Sequence, residues 1–186
     1  QLAAKKVYFL QGHGEMSPLE VHPARGLSEL AKLLEFQNYE WDILDLTENR
    51  QIPTDADLII LASPQVPYLS YEVQQLNLYL ESKGGTVWAL LSATKEHGLE
   101  GLFYQWGIRA DNQIVVDIGD DFQSKSGDFL IRRFFPHPIT QKLIDYQLGL
   151  VWGLSRPIVP DITAPKALGL HTVSLLASSD QSWAKA

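Results

Sequence analysis

The chain has 186 residues, 45% hydrophobic and 20% charged, a balance that fits one ordinary globular domain with a substantial core and excludes a disordered chain. Its net charge of −7, with Lys125, Arg132, Arg133 and Lys142 scattered among acids and aromatics, argues against nucleic acid as a partner. It contains no cysteine, which removes disulfides, thiolate metal sites and cysteine nucleophiles together, and no window approaches ~20 consecutive apolar residues that would span a bilayer as a helix.

The first half alternates strand and helix signals. Residues 7–10 form a short apolar run that halts at Gln11-Gly12-His13-Gly14-Glu15. A buried strand that delivers a glycine turn, an acid and an imidazole to one sheet edge is how many α/β folds begin a ligand site. Residues 26–36 carry Leu27, Leu30, Leu33 and Leu34 at helical spacing. Residues 41–46 (WDILDL) alternate like a half-buried strand, and residues 58–62 (LIILA) have the continuous apolar run of a central parallel strand. Pro64 and Pro67 hold open the loop that follows. Residues 71–82 read as a helix capped by Gly84-Gly85, residues 86–91 (TVWALL) as a fourth strand, and residues 99–106 as a short helix ended by Gly107.

In the second half, residues 114–118 and 129–133 read as strands around a polar turn at 119–127, and Pro136-His137-Pro138 as a rigid break. A helical turn at 139–144 and strands at 150–154 and 173–177 complete the set. The pattern predicts a single α/β domain over 1–186. Its core is a three-layer, doubly wound, mainly parallel sheet, and the C-terminal half adds edge strands, some antiparallel. Ser178-Ser179-Asp180 turns or caps the chain. Trp183 then either returns its ring to the body or stands exposed on a frayed end. The start at Gln1 and the unpunctuated end suggest an excised domain, with any flanking anchors or targeting segments outside this sequence.

Strand ends at Gly12, Ser63 and Ser92 fall along one edge in this arrangement. The expected ligand site therefore comprises Gln11, Gly12, His13, Gly14, Glu15, Ser63, Gln65, Tyr68, Ser92 and Thr94. Gly-His-Gly-Glu lacks the Lys-Ser/Thr of a P-loop and the third glycine of a dinucleotide fingerprint, so no cofactor is expected. One reading sets backbone N–H groups, His13 and Glu15 around an anionic or polyhydroxy ligand. The other has the glycines permit a tight turn while Glu15 pairs or caps locally. His13, Glu15, His22, Asp42 and Asp45 show no metal-ligand spacing, so no metal is expected either, and His22 and His137 read as loop residues bonded to backbone. No catalytic residue stands out. Ser63 and Ser92 follow strands without the glycine elbow that an α/β hydrolase needs. Trp88 and Trp106 read as core, Trp41 and Trp152 as either core or surface, and Tyr68 and Tyr71 as ligand contacts.

The ordered set of segments carries more than any one of them. VYFLQGHGE at 7–15 precedes a Leu-rich helix, Asp45-Leu46-Thr47, Ile52-Pro53 and Ala56-Asp57-Leu58-Ile59-Ile60. Ala62-Ser63-Pro64, Gly84-Gly85, Gly98-Leu99-Glu100-Gly101-Leu102, Trp106-Gly107-Ile108, His137-Pro138-Ile139-Thr140, residues 175–179 and Ser182-Trp183 follow in order. This set resembles the extracytoplasmic auxiliary domain of an uncharacterised class of ABC transport systems. That family includes the gliding-motility-associated ABC transporter component and is related to an intraflagellar-transport domain. The resemblance implies a flavodoxin-like or glutamine-amidotransferase-like sheet, without the amidotransferase nucleophile. It implies a module held at a membrane, outside the cytoplasm, by segments beyond this sequence. The implied partners are permease and ATPase subunits or a sister accessory protein, with a small polar ligand, and the implied role is non-enzymatic accessory or substrate-binding. The alternatives are a small-molecule hydrolase using His13 and Glu15, and a pure assembly module.

Overall fold

Strand β1 (Lys5–Gln11) is followed by helix α1 (Ser28–Phe36), β2 (Tyr39–Asp45), the short α2 (Leu46–Asn49), β3 (Ala56–Ala62), α3 (Ser70–Lys83), β4 (Thr86–Leu90) and α4 (Glu100–Gln105). The computed structural model describes residues 4–119, 127–165 and 169–185, and it divides into two compact units. The first holds the residues through Leu91 with Lys95–Leu102; the second holds Ser92–Thr94 and the residues from Phe103 on.

The first unit is built on a parallel sheet of order β2-β1-β3-β4. The chain order reverses between β1 and β3, which makes the ends of those two strands the topological switch point of the sheet. Register sets Val7 beside Trp41 and Leu58, and Phe9 beside Ile43 and Ile60. Val7, Phe9 and Ile60 form a buried cluster covered by Leu27, Leu30 and Leu34, three of the four leucines at helical spacing, while Leu33 is 55% exposed. Trp41 settles on the interior side. Its ring meets Phe9 edge-on at 5.7 Å and its Nε1–H donates to Glu35. Tyr8, Leu10, Ile59 and Leu61 alternate onto the opposite face and are buried too. Both faces of the central strands are therefore covered, which is why β1 and β3 read as unbroken apolar runs.

Helix α3 buries Glu72, Leu76 and Tyr79, one stripe at i, i+4, i+7. The Tyr79 hydroxyl donates to the Ala56 carbonyl and accepts from Thr86 N–H, tying the helix to the starts of β3 and β4. A side chain at Gly85 would meet the Tyr79 ring at 2.4 Å, so the Gly84-Gly85 cap also makes room for that tyrosine. Trp88 departs from its expected core place: it is 43% exposed. β4 is an edge strand whose burial alternates, and Trp88 lies on its open side. Leu46, expected at the end of β2, instead opens α2, because the Asp45 carboxylate accepts Thr47 N–H and caps the turn.

The second unit contains β5 (Ile108–Ala110), β6 (Ile114–Asp117), β7 (Phe129–Ile131), β8 (Arg133–Phe134), α5 (Gln141–Asp145), β9 (Leu150–Trp152), β10 (Ile158–Pro160), β11 (Leu176–Ala177) and β12 (Ser182–Lys185). The strands pair as antiparallel two-stranded ladders: β5 with β10, β6 with β12, β7 with β9 and β8 with β11. The strand expected over 173–177 contracts to Leu176–Ala177, and the polar turn expected at 119–127 lies mostly outside the described residues. The sequence reading missed β5, β10 and β12.

The tail is ordered, but not by its tryptophan. Trp183 is 49% exposed, while its strand pairs residue by residue with β6. Asp117 clamps the turn before it: its carboxylate accepts Ser179 N–H, the Ser179 hydroxyl and Gly119 N–H. Burial pushes the Asp117 carboxyl up, and these three bonds outweigh it and hold it below the usual carboxylate range. A depressed folded-state pKa contributes stability above the unfolded value, near ~4, that is lost as pH falls through the folded value. Deleting residues from Ser178 onward is therefore expected to lower the melting temperature, and Asp117→Asn to flatten the acid limb of stability against pH. Melting curves indistinguishable from the parent chain would contradict the clamp.

Candidate functional site

The loop after β1 is shaped by two glycines and one glutamine. Gly12 and Gly14 have φ of 121° and 73°, the left-handed region that their sequence position predicts. The space is also tight: a Cβ at Gly12 would lie 3.1 Å from Asp45 Oδ1, and one at Gly14 3.2 Å from the Gln65 side chain. Gln11 braces the loop from behind, its Nε2 donating to the Leu10 and Met16 carbonyls. The loop after β3 is zipped to it. Met16 N–H donates to the Ala62 carbonyl at 2.8 Å, and Gln65 and Val66 N–H both donate to the His13 carbonyl. Ser63 takes a left-handed φ of 56°, and Gln65 Nε2 donates to its carbonyl and hydroxyl.

Beneath these loops lies a buried polar cluster. Glu15 accepts His13 N–H on one oxygen and the Tyr68 hydroxyl on the other, each at 2.7 Å. His13 Nε2 lies 3.0 Å from Glu72 Oε2. Its Nδ1 lies 3.9 Å from Glu15 and has no hydrogen-bond partner among the described residues. The imidazole also leans on the Tyr68 ring at 4.6 Å. Glu72 sits in the first turn of α3 and satisfies one of the orphan donors there, accepting Leu69 N–H at 2.7 Å, while its own N–H donates to the Leu69 carbonyl. His13 is 5% exposed and Glu72 1%. Burial, then the Glu15 carboxylate that accepts its proton, pushes the Tyr68 phenol far above its ordinary value, so the tyrosine stays a donor. The His97 turn supports Tyr68 from behind. Its carbonyl accepts Tyr68 N–H, its Nδ1 accepts Leu99 N–H, and Gly98, at φ 70°, brings the backbone so close that a Cβ would lie 2.9 Å from the Tyr68 carbonyl oxygen.

Above the cluster an open cavity of about 560 Å³ is walled by the predicted residues Gly14, Glu15, Ser63 and Gln65. Ser17, Glu20 and Arg25 line it as well, none of them singled out by the sequence. The structure thus joins Gln11, Gly12, His13, Gly14 and Glu15 with Ser63, Gln65 and Tyr68. Tyr68 serves inside, as the partner of Glu15. Ser92 and Thr94 belong to the second unit, where the Ser92 carbonyl accepts from Arg156 Nε and its hydroxyl from Thr94 N–H. Tyr71 donates to the Leu46 carbonyl. His22 and His137 behave as read from sequence, each Nδ1 accepting a backbone N–H two residues on. Glu72 and His97 were missed. The signal for Glu72 was an acid on the stripe of Leu76 and Tyr79, the third residue of the helix.

The arrangement gives a stability signature. Glu72→Ala strips the partner from Leu69 N–H and from His13 Nε2 inside the protein and is expected to cost about 2–3 kcal/mol in urea denaturation. Tyr68→Phe, which leaves one Glu15 oxygen unmet, is expected to cost about 1–2 kcal/mol, and Gly12→Ala or Gly14→Ala about 1 kcal/mol or more. Wild-type midpoints in all four would contradict the described bonding.

The comparison with curated proteins found no match. Among solved structures, a chain titled "mmIFT52 N-terminal domain" superposes with a TM-score of 0.68 at 20% identity, over 95% of this chain and 74% of that one, a likeness of fold. A family model for the auxiliary component of an "ABC-type uncharacterized transport system" matches residues 4–128, a span that contains the β1 loop, the β3 loop and the first turn of α3. That match takes in more than half of the sequence, and the chain belongs to this ABC-type transport family.

Proposed function

We propose that this chain is a non-enzymatic accessory domain of an ABC transport system of the gliding-motility-associated kind, and that it takes a small polar ligand at the end of β1. In this reading it works outside the cytoplasm, held at the membrane by segments beyond the sequence given, beside permease and ATPase subunits or a sister accessory protein. One observation carries the ligand-binding part. The polar groups at the switch point fall into a buried set and a cavity-facing set, with Glu15 at the boundary as part of the cavity wall. His13, Glu15, Tyr68 and Glu72 are buried and bonded among themselves and to the backbone. Ser17, Glu20, Arg25, Ser63 and Gln65 face an open cavity of about 560 Å³, within the size of small-molecule sites and at the place where open α/β sheets hold ligands.

The same division weighs against a hydrolase built on His13 and Glu15. A general base needs a lone pair within reach of substrate. His13 is 5% and Glu15 7% exposed, each Glu15 oxygen already accepts one hydrogen bond, and His13 Nε2 is engaged by Glu72, so neither side chain is presented to a substrate. Native mass spectrometry and NMR titration with sugars, amino acids and small acids test the proposal. The expected result is a small polar molecule that shifts the amide signals of Gly14, Ser17, Ser63 and Gln65, with no turnover of esters, amides or glycosides. Turnover that disappears in His13→Ala or Glu15→Ala, with the fold intact, would sink it. Absence of any small-molecule binding would leave the assembly module in its place.

A further inference from the structure

The cavity carries an acid and a base that are held apart. Glu20 and Arg25 both line it, yet no ion pair joins them, and the Arg25 guanidinium has no hydrogen-bond or ion-pair partner among the described residues. Residues 17–28 close on themselves: Leu27 N–H donates to the Ser17 carbonyl, Gly26 N–H to the His22 carbonyl and Ser28 N–H to the Glu20 carbonyl. Gly26 permits this closure, since a Cβ there would lie 1.9 Å from the Glu20 carbonyl oxygen. The Glu20 carboxylate is itself oriented, one oxygen accepting His22 N–H at 2.9 Å. On the adjoining wall, the backbone N–H groups of Gly14 and Glu15 have no partner among the described residues.

An unpaired cation in a cavity that also presents spare N–H donors suits a carboxylate, and a carboxylate in the same cavity, oriented by the His22 N–H, suits an ammonium. A ligand with only one of these charges meets one partner and leaves the other group facing a like or unmatched charge. We propose that the cavity selects a small zwitterion, an amino acid or short peptide with free amine and free carboxylate. Arg25, with the Gly14 and Glu15 N–H groups, takes the carboxylate, and Glu20 takes the amine. This names the ligand class of the site proposed above and rests on that reading.

Calorimetric titration of the whole chain tests it with four probes: L-alanyl-L-alanine, its N-acetyl derivative, its C-terminal amide, and maltose. The dipeptide is expected to bind, with each blocked form weaker by about tenfold or more, the loss of one charge-assisted bond. Arg25→Gln is expected to erase the preference over the amide and keep the preference over the N-acetyl form; Glu20→Gln is expected to do the reverse. Both side chains are exposed, so circular dichroism should show an intact fold in each. Maltose binding without dipeptide binding overturns the zwitterion and leaves a polar-ligand site standing. Binding by none of the four at millimolar concentration overturns the zwitterion and counts against the site itself. Equal affinity for the dipeptide and both blocked forms also overturns the charge pairing.

Discussion

The contact between His13 and Glu72 is the constraint on which the rest of the site depends. A helix start carries unpaired N–H groups, and a buried carboxylate is costly unless it is bonded. Glu72 answers both demands at once, accepting the N–H of Leu69, the residue just before α3, and meeting the His13 ring from the β1 loop. The loop is thereby fixed to a helix 59 residues further along the chain. With His13 fixed, its backbone N–H holds Glu15, and Glu15 holds Tyr68. A loop with two left-handed glycines would otherwise be free to move; here it becomes a firm floor under a cavity.

Much of the first unit was legible in the sequence because its signals are local. Leucine spacing in α1, the apolar runs of β1 and β3, and the glycines at 12, 14 and 84 each state a backbone or burial requirement that neighbouring residues decide. The meeting of the β1 and β3 loops was legible too, since parallel strands in an α/β unit end on one edge. What stayed hidden was pairing over distance. Nothing adjacent to Glu72 says that its partner is His13, and nothing near Ser179 says that Asp117 is waiting for it. Trp88 misled because a mid-strand position argues for the core, while strand order, which no local pattern displays, put its strand on an edge. Glu20 and Arg25 sit in a stretch with no periodicity, and their place in the cavity lining accompanies the fold-back of residues 17–28.

The family match stops at residue 128, but the second unit does not. Strand β5 is completed by β10, and β6 by β12, so segments within the matched span find their ladder partners beyond it. Residues 158–185 thus belong to the same unit as residues 108–117. The Asp117–Ser179 clamp is the counterpart there of the His13–Glu72 contact: in each, one carboxylate joins a strand end to a distant turn. This economy suits a chain without cysteine, which has no covalent way to fasten its loops.

A double-mutant cycle across His13 and Glu72, using His13→Gln and Glu72→Gln with stability read by urea denaturation, tests the central claim most directly. The account predicts that the two losses are strongly non-additive, with a coupling of about 1 kcal/mol or more, as for directly bonded buried groups. Additive losses, within about 0.3 kcal/mol, would mean that the two side chains act independently and that the loop is held by something else.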